Sequence, residues 1–373
     1  MVAFYVVFFL CAFGFSFLIN ALFLRFARTL GMRDKKEIMR WASTSKPAFG
    51  GISFYIVFLI SLTCHSMFFE SHDILWNKKI VGLLGAATLA FMMGLADDAY
   101  NTRPLLKLFV QILCGLILCY SGIYISIFDN MIADYLLTIF WVIGMMNSLN
   151  MLDNMDAIAA IVSASIFSTA ALLIISSYEI NNLHLIILIG LVGSLLGFLI
   201  FNWHPSKLYM GDTGSQFIGL MLSAIGIMYF WNIPFAESNP ILPSKQIMIV
   251  LTAFILPIAD TTTVVINRLL KGNSPFIGGR DHTTHNLFFR GLTEKRIAVL
   301  FGGIGAVALG IIYFIETHIT TWGIEEFSLF SIFPVTIFFF LFATTKIKKR
   351  GERNSVATSS VKTIANHAKT HLS

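Results

Sequence analysis

Four groups of polar residues in this chain have types and spacings that could do chemistry. Asp97 and Asp98 stand side by side just after an apolar run ending Met93-Gly94-Leu95-Ala96, with Arg103, Pro104 and Lys107 close behind. Adjacent carboxylates at an apolar border are costly unless a cation or a hydrogen-bond network answers them. A divalent metal, or service as base and organiser of a phosphate site, supplies that answer; a solvated helix end is the plain alternative. Asn147, Asn150, Asp153 and Asp156 recur at three-residue spacing. On a helix the first three share a face and Asp156 drifts slightly from it. Carboxylate and amide oxygens suit Mg²⁺, which keeps waters and takes one or two protein oxygens plus substrate phosphates, whereas a bland helix cap needs one such residue and not four. Asp212, in Gly211-Asp212-Thr213-Gly214-Ser215, can act both as a helix cap and as a metal ligand. The fourth group is Arg280-Asp281-His282-Thr283-Thr284-His285. No cysteine or third histidine accompanies the pair to make a zinc site, and beside Arg280 the two histidines fit phosphate contacts better.

Three further positions belong with these. Lys46 opens Lys46-Pro47-Ala48-Phe49-Gly50-Gly51, where a cation meets a sequence able to turn and to bring backbone close to a ligand; it could hold a phosphate or simply serve topology. His204, beside Trp203, reads as an interface anchor. Asp260, inside an apolar run with Arg268 two turns on, is a functional candidate or a buried structural hydrogen-bonding group.

What must position these residues is membrane helix. The 373 residues are 56% hydrophobic and 12% charged, against about 25% charged in soluble domains. The fold class is therefore all-α: a polytopic helical bundle. Runs of the length that crosses a ~30 Å hydrocarbon core fall at 1–24, 49–68, 79–97, 105–125, 132–149, 157–177, 183–202, 214–232, 246–269, 296–315 and 327–345, about 11 transmembrane helices. With the N-terminus outside, all but Lys78, Lys79 and Lys245 of the 26 lysines and arginines fall on one side, which the positive-inside rule makes the cytoplasm. That puts the C-terminus and all four polar groups on the cytoplasmic face. The net charge of +6 then matches anionic headgroups, and no nucleic-acid partner is expected. The first run lacks a basic region before it and a cleavage motif after it, so it reads as a retained span. Cys11, Cys64, Cys114 and Cys119 lie in apolar runs and read as packing residues. Residues 1–345 form one integral-membrane domain, and 346–373 a basic polar tail with too little apolar content to fold. No P-loop or Gly-rich nucleotide fingerprint is present.

The ordered combination is more specific than its parts. Asp-Asp with downstream Pro104 and Lys107, Asn-x-x-Asn-x-x-Asp-x-x-Asp, Pro-Ser-Lys-x-x-Met-Gly-Asp-Thr-Gly-Ser and Arg-Asp-His-x-x-His together resemble the polyprenyl-phosphate N-acetylhexosamine-1-phosphate transferases. Within them the chain is most similar to the bacterial undecaprenyl-phosphate N-acetylglucosamine-1-phosphate transferases. The resemblance implies transfer of a sugar 1-phosphate from a UDP-sugar to undecaprenyl phosphate at the inner membrane, with release of UMP, as the first lipid-linked step of an envelope polysaccharide such as an O-antigen. It implies Asn150 and Asp212 as ligands of Mg²⁺ or Mn²⁺, Asp97 as the residue that deprotonates or positions the lipid phosphate, and Asp98 as support to the metal site. Asp153 and Asp156 would lie near nucleotide and sugar, Arg280, His282 and His285 would hold the donor pyrophosphate, and Lys46 and Lys107 would face the lipid phosphate.

The physical logic agrees, since a phosphate attacking a pyrophosphate needs cations and placement more than covalent chemistry. Direct displacement and a phospho-enzyme on an Asp both remain open. Asn101, Asn154, Ala157 and Thr284 depart from residues common in the family (Asp, Gly, Gly and His), which leaves a deoxy-aminosugar donor as an alternative to GlcNAc. A transporter would place polar residues near the bilayer midplane rather than at one border, and a CDP-alcohol phosphotransferase would need an acidic helix motif with an Arg that is missing. A second copy of the chain is a further candidate partner.

Overall fold

The structure is a computed structural model and describes residues 2–29, 46–69, 77–128, 130–177, 182–233, 243–274 and 279–346. Among them are thirteen α-helices and no strand: α1 (Val2–Thr29), α2 (Gly50–Phe68), α3 (Lys78–Tyr100), α4 (Pro104–Tyr120), α5 (Met131–Leu152), α6 (Ile158–Ser176), α7 (Leu183–Asn202), α8 (Gly211–Gly226, prolonged by a π turn over Ile227–Trp231), α9 (Pro243–Ala253), α10 (Ile255–Leu270), α11 (Thr283–Phe289), α12 (Glu294–His318) and α13 (Ile324–Lys346). The basic residues Arg33, Lys35, Lys36 and Arg40, and the tail beyond Lys346, lie outside the described residues.

Each of the eleven apolar runs contains helix, but two are not the straight spans expected. Among the described residues nine helices are long and apolar enough to cross a bilayer alone; α9 and α10 make a tenth candidate only as a pair bent by 82°, and α4 is a shorter apolar helix of 17 residues. The bend has a cause in sequence. Pro257 has no N–H to give the carbonyl of Ala253, so the α9 ladder stops and α10 restarts after Phe254 in a new direction. The fourth run stops early because its last residues have other partners. After Gly122 (φ 85°) the chain runs extended, and α5 satisfies it: Ile125 N donates to Thr138 Oγ1 at 2.9 Å, and Ile127 and Phe128 N to buried Asp134 Oδ1, each at 3.1 Å.

Caps fix where helices begin. Asn77, Asn130 and Asn182 accept from the first-turn N–H groups of α3, α5 and α7, as N-cap side chains do. Pro104 occupies the first turn of α4, where its missing N–H is no loss. At the centre stands α8, with every residue from Thr213 to Ile227 buried among α2, α3, α5 and α6. Close approach there depends on glycine. A Cβ on Gly51 of α2 would collide with the backbone nitrogen of Gly214, and one on Gly94 of α3 with the carbonyl of Asp212. By contrast α1 and α13 expose long apolar rows, including Leu10, Leu18, Leu22, Leu329 and Phe339, as helices facing lipid do. Segments 46–49, 101–103, 153–157, 203–210 and 279–293 gather at one end of the bundle, joined by Gly50 N to Tyr209 O (3.2 Å), Gly51 N to Met210 O (3.1 Å) and Ala157 N to Asn202 Oδ1 (2.9 Å).

Candidate active site

At that end the terminus of α3, the first turns of α4 and α8 and the last turn of α5 bring four polar side chains together. Asp97 Oδ1 accepts from Thr102 N (2.8 Å) and Thr102 Oγ1 (2.5 Å), and its Oδ2 meets Lys107 Nζ at 2.9 Å. The same ammonium lies 3.4 Å from Asp212 Oδ1. Asn150 Nδ2 donates to that Asp212 oxygen and to Ser215 Oγ at 2.9 Å. The local chain explains the aim of Asp97. Helix α3 ends at Asn101 in the left-handed region (φ 50°), which folds Thr102 back over the carboxylate before Pro104 starts α4.

Asp98, its neighbour, is spent differently. Its Oδ1 accepts from Asp212 N (2.9 Å) and its Oδ2 from Thr213 N (2.8 Å) and Thr213 Oγ1 (2.6 Å). A residue of α3 thus caps the N-terminus of α8 and holds Asp212 from behind, where the helix dipole favours an anion. Adjacent on a helix, the two carboxylates point about 100° apart, one into the polar cluster and one onto backbone.

Of the face expected through Asn147, Asn150 and Asp153, with Asp156 slightly off it, Asp156 is the member that departs. Helix α5 runs to Leu152 and half-buried Asp153 caps it, its N donating to Leu149 O at 3.0 Å, while Asp156 lies in the turn beyond. Asp156 is buried and grips loop 203–210: Ser206 N donates to its Oδ2 (2.9 Å) and Ser206 Oγ to its Oδ1 (2.7 Å). His204 is not an interface anchor, since its Nδ1 sits 2.9 Å from Asp156 Oδ2 and 2.9 Å from Glu294 Oε2 of α12. Lys46 joins this second cluster, with Nζ donating to Ser206 Oγ at 2.9 Å and lying over the Tyr209 ring.

The third cluster surrounds α11. Asp260 is fully buried and receives His282 Nδ1 (2.8 Å), Thr283 N (2.8 Å) and Thr283 Oγ1 (2.6 Å). A carboxylate behind an imidazole fixes its ring orientation. Arg268 grips Asp281 through Nε and Nη2, each at 2.7 Å. Burial alone would raise the Asp281 carboxyl, but the two hydrogen bonds and the charge of Arg268 outweigh it and hold the group below the usual carboxylate range. Burial pushes the His285 imidazole down to about 4 with help from nearby His282, so it is neutral at physiological pH. Thr284 Oγ1 donates to Asn154 Oδ1 at 2.7 Å, tying this loop to the α5–α6 turn. Arg280 stands exposed at the loop's entrance.

Two donor sets offer themselves to a cation. The carboxylate oxygens of Asp97 and Asp212 suit a hard divalent ion, Asn150 turns its amide nitrogen to Asp212 and would offer its oxygen after a flip of the amide, and Lys107 already places positive charge between the two carboxylates. Asp156, His204 and Glu294 also bring ligand atoms within 4.8 Å of one another, but both Asp156 oxygens are committed to Ser206. Sequence reasoning missed Thr102, Thr213, Ser215 and Ser206, short hydroxyl residues whose roles are set by contacts across helices. It also missed Glu294, which reads from sequence only as a first-turn acid.

Residues 80–230 match the model of glycosyl transferase family 4. The chain is 26% identical over 323 residues, 84% of either chain, to the probable undecaprenyl-phosphate N-acetylglucosaminyl 1-phosphate transferase of Bacillus subtilis (strain 168). It is 26% identical over 295 residues, 72% of this chain and 73% of the other, to the decaprenyl-phosphate N-acetylglucosaminephosphotransferase of Mycobacterium leprae (strain TN). A shorter match, 33% identical over 213 residues (52% and 62%), is to the phospho-N-acetylmuramoyl-pentapeptide-transferase of Streptococcus uberis (strain ATCC BAA-854 / 0140J). The matched region carries Asp97, Lys107, Asn150 and Asp212, and along most of its length the chain is similar to transferases that act on a polyprenyl phosphate.

Proposed function

We propose that this chain transfers N-acetylglucosamine 1-phosphate from UDP-GlcNAc to undecaprenyl phosphate at the cytoplasmic face of a bacterial cytoplasmic membrane. The observation that carries the reading is the meeting of Asp97, Lys107, Asn150 and Asp212 from four helices at one end of the bundle. Such a border location lets a water-soluble donor meet an acceptor whose tail stays in lipid.

A phosphate oxygen of the lipid attacks the β-phosphorus of the donor, the new O–P bond forms, and the bond from that phosphorus to the bridging oxygen breaks, releasing UMP. Two anions must approach, so the cost is electrostatic and positional. Lys107 supplies fixed positive charge where the attacking phosphate arrives. Asp97, clamped by Thr102, positions that phosphate or takes its proton. Asp212, Asn150 and Asp97 fit a bound Mg²⁺, which would neutralise phosphoryl charge. The Asp156 cluster defines the nucleotide end, and the loop bearing Arg280, His282 and His285 covers the pyrophosphate.

The test is UMP release by purified protein in detergent from a panel of UDP-sugars, with and without undecaprenyl phosphate and Mg²⁺. Release from UDP-GlcNAc that needs both additions is the expected result. Release only from a UDP-deoxyaminosugar would move the donor, and release of UDP instead of UMP would overturn the reaction.

A further inference from the structure

One turn deeper than the polar site, three helices each carry an amide beneath a site residue. Gln111 follows Lys107 on α4, Gln216 follows Asp212 on α8, and Asn147 precedes Asn150 on α5; these spacings keep each pair on one helix face. The three amides bond to one another. Gln111 Nε2 donates to Gln216 Oε1 (3.1 Å) and Asn147 Oδ1 (3.3 Å), and Asn147 Nδ2 donates back to Gln111 Oε1 (2.8 Å) and to Ile143 O (2.9 Å).

Stability is a poor explanation for this layer. Gln111 and Gln216 are buried, and Gln216 Nε2 has no hydrogen-bond partner among the described residues. An orphaned buried donor costs about 1–3 kcal/mol, and apolar residues of the same size would fill the space without that cost. Geometry offers a better one. Helix α4 packs on α3 and α5, and side chains carry its link to α8, Lys107 to Asp212 above and Gln111 to Gln216 below. A helix held at one point can roll about its axis; held at two levels on one face it cannot.

We propose that the Gln111–Asn147–Gln216 layer is a positioning element for the transfer reaction, fixing the rotation of α4, α5 and α8 so that Lys107, Asn150 and Asp212 meet. The proposal rests on the function argued above. None of the three amides touches substrate; they act through the residues one turn above them.

The experiment uses Gln111→Leu, and Gln216→Met as a second variant should the first not fold. With UDP-GlcNAc and undecaprenyl phosphate, kcat falls about tenfold to a hundredfold while the donor KM moves less than about threefold, because misplacement slows the step without removing a contact to the donor. Melting temperature falls only by what the amide groups left without Gln111 cost, too little to account for the loss of kcat. A folded variant with unchanged kcat overturns the proposal, as does a fall in kcat that only tracks lost stability. A second readout needs no activity. In a background with Cys11, Cys64, Cys114 and Cys119 replaced by Ala, the pair Asn150→Cys and Ser215→Cys reports the α5–α8 register by its rate of disulfide formation. Gln111→Leu slows that rate several-fold if the layer holds the register, and an equal rate refutes it. Should the parent protein act on no UDP-sugar, the functional reading fails and the disulfide rates alone decide this one.

Discussion

Asp97 and Asp98 are chemically identical neighbours, yet the fold gives them opposite work. Asp97 is gripped by Thr102 and Lys107 with an edge facing Asp212, while Asp98 has both oxygens on the backbone and hydroxyl of the α8 N-terminus. Their variants should therefore separate. Asp97→Asn is expected to lose turnover by about a hundredfold or more with an unchanged melting temperature. Asp98→Ala should lose activity together with about 1–2 kcal/mol of stability, the worth of a helix cap. Thermal unfolding and UMP release measured on both purified variants check this, and the reverse pattern would exchange the roles. His285 gives a pH prediction. Its pKa in the folded chain is about 4, below the ~6.5 of an unfolded histidine, so between those values the unfolded chain binds more protons and stability rises with pH. Melting temperature should fall as pH is lowered from about 6.5 toward 4, and His285→Gln should flatten that slope; an unchanged slope would place the titration elsewhere. At this scale the chemically distinctive residues were legible because carboxylates and amides beside apolar runs demand an explanation. The division between Asp97 and Asp98 was not, because it depends on which helix α3 meets. Asp260 shows the same limit: sequence marked it as unusual, and only the fold reveals Thr283 and His282 on its oxygens.

Helix ends, rather than helix bodies, build the site, and glycine sets how closely those ends approach. Gly94 and Gly51 press the start of α8 between α2 and α3. Gly94→Ala would displace Asp212 from Lys107, and a misplacement near ~1 Å costs about a hundredfold in rate. Gly85, on the same helix α3 with open space at its Cβ position, is the control: Gly85→Ala should leave turnover unchanged. Equal rates for all three proteins would remove close packing from the account. Helix boundaries were legible where caps and Pro104 speak in sequence. The break between α9 and α10 was harder, since Pro257 accompanies a bend while Pro334 lies inside a continuous α13; whether a proline bends its helix depends on the neighbours packed around it. At Ala157 the backbone adopts φ 70°, strained for a residue with a Cβ, and Asn202 holds its N–H in that conformation.

Across the molecule, a buried α8 carries Asp212 upward from the core, and the surrounding helices deliver their polar ends to it. Hydropathy and run length alone revealed the long helices, because membrane spans need long apolar runs. The convergence of four distant segments on one point is not a local property of sequence; it was legible only through the resemblance of the ordered motifs to a known family. The central claim is that this convergence moves a phosphoryl group with its sugar, and not the sugar alone. The most direct measurement uses UDP-GlcNAc labelled in its β-phosphate, incubated with undecaprenyl phosphate and either the parent protein or Asp212→Asn. Label is expected in the extracted lipid, with unlabelled UMP, for the parent, and neither for the folded variant. Label left in soluble UDP, or an Asp212→Asn protein that labels lipid at the parent rate, would contradict it.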